Sequence, residues 1–182
     1  MNRNNCPFVL ILSLGLLASS SAANAQVPQA QIPGPKVKPT VPLPVKECRD
    51  PAAESLTFVI LSRDKAHPTR GRINLTGVVK NLGNATFESN PNQARAQLAR
   101  VPSAGPPAML SATDIAILRA GASIRLGATV DWDTAQEFPP RFVLSLTYDP
   151  DIRLDANFRN DDCNTNNNSR ELTADQINRG WR

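Results

Sequence analysis

Ile73-Asn74-Leu75-Thr76-Gly77-Val78-Val79-Lys80, followed by Asn81-Leu82-Gly83-Asn84, decides the fold. Ile73, Leu75, Gly77 and Val79 fall on one side of an extended chain, with Asn74, Thr76, Val78 and Lys80 on the other. That two-residue period is the pattern of a strand with one face on a core. The Asn and Gly residues that follow punctuate it as a turn. The same period recurs on both sides. Upstream, Leu56, Phe58 and Ile60 alternate with Val59 and Leu61, and the apolar residues on both faces predict a well-covered strand. His67-Pro68-Thr69-Arg70-Gly71 is read as the turn between the two.

Downstream, Ala94–Val101 alternates weakly and is closed by Pro102-Ser103-Ala104-Gly105-Pro106-Pro107. Ile115 and Ile117 mark another strand, closed by Ala120-Gly121. Ile124, Leu126, Ala128, Val130 and Trp132 alternate strictly with polar residues, and Phe142, Leu144, Leu146 and Tyr148 repeat the pattern. Short alternating strands with regular turn signals predict an all-β antiparallel sandwich rather than a barrel or an α/β sheet. The tail differs. Thr173 and Gln176 form a capping box, Leu172 and Ile177 a hydrophobic staple, and Gly180 a stop, so a short helix over Ala174–Arg179 is expected. A continued strand is the alternative there.

Ile73–Ala85, with its Asn-x-Gly turn, resembles an early strand of the bacterial cell-adhesion-related domain, CARDB. Ala120-Gly121-Ala122-Ser123 with Val130-Asp131-Trp132 is similar to a later strand pair of that family. Tyr148-Asp149-Pro150-Asp151 with Asn164 and Asn166–Asn168 resembles its final loop. The match spans about Glu54–Ser169. It implies an immunoglobulin-like β-sandwich of about seven strands, in an extracytoplasmic protein that binds or adheres and does not catalyse. Cys163 in the final loop and the terminal helix depart from the family pattern.

Three segments follow from composition. Arg3, the eleven-residue apolar run Phe8–Ala18 and Ala23-Asn24-Ala25 read as a signal peptide over 1–25, cleaved before Gln26. The run is shorter than the ~20 residues of a membrane span, so no stable span is expected after cleavage. Residues 26–47 hold six prolines and no aromatic residue, and read as a disordered, extended linker. Residues 48–182 are left for the sandwich. The leader implies a periplasmic or secreted protein. In that oxidising setting Cys48 and Cys163, the pair left once Cys6 is removed, are expected to form a disulfide.

Chemistry is sparsely signalled. The net charge of +4 falls to +3 with loss of Arg3, and the basic residues are scattered without interleaved aromatics. No nucleic-acid partner is indicated. The only histidine, His67, lies in a turn, which gives no support to a nucleophilic triad or a zinc site. The one suggestive cluster is Asp149, Asp151, Asp155, Asp161 and Asp162, whose carboxylates lie among asparagines in the way a calcium loop requires. The central glycine and closing glutamate of an EF-hand are missing, and a solvated turn with Asx hydrogen bonds is the competing account. Trp132 is phased with the core, and Trp181 is expected to pack the tail onto the sheet. No catalytic residue and no cofactor other than possible calcium is assigned. The expected function is non-catalytic binding of a protein or envelope polysaccharide. A small secreted hydrolase using carboxylates and a structural envelope component are the alternatives.

Overall fold

In the computed structural model, which describes residues 45–182, the deciding stretch is a central strand, β2 (Arg70–Asn81), with the expected phase. Ile73, Leu75, Gly77 and Val79 are buried, and the residues alternating with them are half-buried. The signal peptide, and the linker up to Pro44, lie outside the described residues. β2 pairs antiparallel with β1 (Pro51–Arg63) on one side and β7 (Ser123–Asp133) on the other. A second antiparallel sheet has the order β5 (Ala108–Asp114), β4 (Ala94–Val101), β8 (Arg141–Tyr148), β9 (Ser169–Leu172). β3 (Phe87–Glu88) and β6 (Ile117–Leu118) form a small separate ribbon. The two main sheets hold seven strands and the ribbon raises the count to nine, so the chain is an antiparallel β-sandwich.

The inward rows of the sheets make one core. Ile73, Leu75 and Leu126 come from the first sheet, and Ala96, Leu98, Phe142 and Leu144 from the second. Trp132 and Phe142 meet across it with ring centroids 5.9 Å apart. Gly77 belongs to this close approach, because a Cβ on it would come within 2.9 Å of Leu144 Cδ1. Its missing side chain is the space that Leu144 fills.

The helix α1 (Ala174–Trp181) has its capping box in place, with Gln176 N–H donating to Thr173 Oγ1 and Thr173 N–H to Gln176 Oε1. Leu172 and Ile177 are both buried in the core cluster, as a staple requires. The helix runs through Gly180 rather than stopping there, since Trp181 is held on the sandwich. Trp181 is only 5% exposed, and its Nε1–H donates to the Pro68 carbonyl.

Two expectations are corrected. β1 is not covered on both faces: Val59 and Leu61 are 57% and 55% exposed, because among the described residues no second layer lies on the outside of the three-stranded sheet. The chain also makes β5 over Ala108–Asp114, ahead of the strand expected at Ile115 and Ile117, which shrinks to the two-residue β6. β5 is a sheet edge with no fully buried residue, so it carries no alternating apolar signal.

Candidate functional site

The sandwich has two chemically distinct ends. At one, Cys48 and Cys163 form the expected disulfide, with Cα atoms 5.6 Å apart. Asn81 organises this end. Its Oδ1 accepts from the backbone N–H groups of Asp50 and Gly83, and its Nδ2 donates to the carbonyls of Ala85 and Leu118. The residue read from sequence as a turn marker is therefore a buried hub joining its own turn to the start of β1 and to β6. Asn84 adds a bond from Cys48 N–H to its Oδ1 at 2.7 Å.

The five aspartates proposed for calcium lie at the same end but are not gathered. Asp149 and Asp151 are exposed, and Asp151 Oδ1 accepts from Arg153 N–H in an Asx turn. Asp155 accepts from the amides of Gln93 and Asn160 at 2.7 and 2.6 Å, and from Asn157 N–H. The bond from Asn160, then that from Asn157, lowers its pKa below the usual carboxylate value. Asp162 is buried in a different network, accepting from Tyr148 Oη–H, Asn168 Nδ2 and Asn164 N–H. Asp161 is half-buried beside it in sequence. Among the described residues no three acidic, histidine or cysteine side chains converge on one point as metal ligands. The carboxylates of Asp155 and Asp162 are engaged by amide and phenol donors in two separate networks rather than turned towards a common point. Burial, and then the negative charge of Asp162, push the Tyr148 phenol well above its ordinary pKa.

At the opposite end a cleft of about 530 Å³ opens where the two sheets part. Its outer wall is a pair of cross-strand ion pairs. Arg70 and Arg72 on β2 face Asp133 and Asp131 on β7 in direct register, at 2.9 and 3.8 Å. Two further arginines enter from the inward rows. Arg63 ends β1 opposite Gly71, and its guanidinium lies 5.4 Å from the centre of the Trp181 ring. Arg100 ends the β4 row that begins with the buried Ala96 and Leu98. Gly71 stays small because a Cβ there would overlap the Ser62 carbonyl and crowd Trp181.

The acidic groups of the cleft are committed. Asp133 is held ionised, first by the N–H of Ala135 and then by Arg70, and Asp64 chiefly by the N–H of Ala66. Asp64 also faces His67 Nδ1 at 3.4 Å in an exposed turn, so the single histidine serves local structure there. Arg63 and Arg100, in contrast, make no ion pair or hydrogen bond among the described residues. A second hollow, of about 690 Å³, lies at the disulfide end, but its arginines Arg49 and Arg159 are paired with Glu47 and Glu88.

None of the cleft arginines stands out in sequence. The readable signal was Arg-x-Arg at the start of one alternating strand and Asp-x-Asp at the end of another, with spacings that match once the strands are known to pair. Compared with known proteins, the chain matches no protein-family model and no curated sequence.

Proposed function

We propose that the chain is an exported, non-catalytic binding module of adhesion type, as the CARDB resemblance implies, and that it engages an envelope glycan through the arginine-lined cleft. The observation that carries this reading is the cleft's position. It opens at the end of the sandwich opposite the Cys48–Cys163 bridge, where Arg63 and Arg100 have no acidic partner among the described residues. The disulfide is compatible with an extracytoplasmic setting, and no helix among the described residues is long and apolar enough to cross a membrane. The committed state of the aspartates supports binding over hydrolysis. A carboxylic general acid needs a raised pKa, whereas Asp64 and Asp133 are shifted down and Asp131 faces Arg72.

The test is co-sedimentation of the exported protein with isolated envelope, with reducing ends measured before and after. Retention without new reducing ends is expected. Release of new reducing ends would overturn the non-catalytic reading. Failure to sediment would overturn the envelope-glycan reading. Mass analysis of the exported protein is expected to show Gln26 as the first residue.

A further inference from the structure

We infer that the cleft binds a carboxylate-bearing saccharide, with Arg63 and Arg100 as the groups that hold its acidic function. The inference rests on the reading of the cleft as the ligand site and names the chemistry of its ligand. Four guanidinium groups line this hollow, and two of them are matched by aspartates in register. The remaining two come from opposite sheets, line the same cleft and have no acidic partner among the described residues. A guanidinium presents a planar fork of donors that fits a carboxylate bidentately. Two such forks without an acidic partner leave a site complementary to a ligand anion.

The rest of the lining selects a sugar over a peptide. Trp132, the apolar side chain of the cleft lining, is only 3% exposed and offers little surface to an apolar group. Ser62 and Gln136 supply the mixed donors and acceptors that hydroxyl groups require. Arg63 is also preorganised. Its place over the Trp181 ring restrains a long side chain that an exposed position would leave free.

Calorimetric titration of the exported protein with a galacturonic acid oligomer, a neutral galactose oligomer of the same length and an oligo-aspartate peptide tests this. The acidic saccharide is expected to bind, more weakly as salt rises. Arg63→Gln and Arg100→Gln are each expected to weaken it about tenfold or more, the usual effect of losing one charge-assisted contact. Arg95→Gln, whose arginine is paired with Asp114 away from the cleft, is expected to leave affinity unchanged. Unchanged melting temperatures keep the variants interpretable. Equal binding of acidic and neutral oligomers, or full affinity in both cleft variants, overturns the inference while leaving a binding module in place. Preference for the peptide overturns the saccharide assignment, and no binding of any probe overturns the inference outright. Cleavage of the acidic oligomer strikes the non-catalytic reading itself.

Discussion

Asn81→Ala removes one small side chain and is expected to be among the most damaging single changes in the domain. Asn81 is 1% exposed, and all four of its bonds go to backbone groups on other segments or turns. The bonds to Asp50 N–H and the Leu118 carbonyl lie in the interior, where a group left without a partner costs ~1–3 kcal/mol. Those to Gly83 and Ala85 are half-buried and can recover water, so each should count for ~0.5–1 kcal/mol. The expected loss is about 3–8 kcal/mol, a large share of the ~5–15 kcal/mol that holds a domain folded. At ~3 °C per kcal/mol for a domain of this size, melting should fall by roughly 10–25 °C. Urea unfolding followed by tryptophan fluorescence measures the loss directly. Asn84→Ala is the control, because both bonds of that amide lie at the surface. If Asn81→Ala loses no more stability than Asn84→Ala, the buried amide is not a hub and the reasoning fails.

Further outcomes follow from the same geometry. Leu144→Ala, at a fully buried position beside Gly77, should cost ~3–5 kcal/mol by urea unfolding; a loss under ~1 kcal/mol would mean that the core relaxes around the cavity. Reducing the Cys48–Cys163 bridge should lower stability by ~2–5 kcal/mol, and an unchanged urea midpoint under reductant would contradict its structural role. Asp64, Asp133 and Asp155 have folded pKa values below their unfolded ones. Their stabilisation is therefore present above about pH 4 and lost as pH falls through the folded values; a urea midpoint that rises on acidification would refute this. Tyr148, the chain's only tyrosine, has the opposite sign. Its contribution is present below about pH 10 and is lost as pH climbs towards the raised folded value. Ultraviolet absorbance should show its ionisation delayed in the native state, and a midpoint near that of free tyrosine would contradict the buried phenol.

What the sequence revealed depended on how strongly each residue's burial repeats along the chain. β2, β7 and β8 carry one apolar residue in every two against a single core, so their faces could be assigned from periodicity alone. The helix was legible because its signals are local: Thr173, Gln176, Leu172 and Ile177 all lie within six residues. β5 was not, since an edge strand with exposed Ala108, Met109 and Ala112 has no face to reveal. The exposure of Val59 and Leu61 was hidden for the converse reason, because an apolar residue does not record whether a neighbouring layer exists. The candidate site was the least legible part. Arg63, Arg100 and Asp133 are separated by dozens of residues, and only the pairing and packing of the sheets bring them together. The Asp149–Asp162 cluster misled in the opposite sense. It is dense along the chain but divided in space between the Asp155 and Asp162 networks, with Asn160 and Asn168 bonded to the carboxylates.

The position of the Cys48–Cys163 bridge has a mechanical consequence. A pull applied at Cys48 and at the Arg70 end of β2 would run along the antiparallel β1–β2 pair rather than across it. Loaded that way, the ladder from Pro51↔Asn81 to Arg63↔Gly71 resists by sliding, with its hydrogen bonds sharing the pull, instead of opening one after another like a zip. The covalent link at Cys48 diverts part of that force into the final loop before it reaches the first strand.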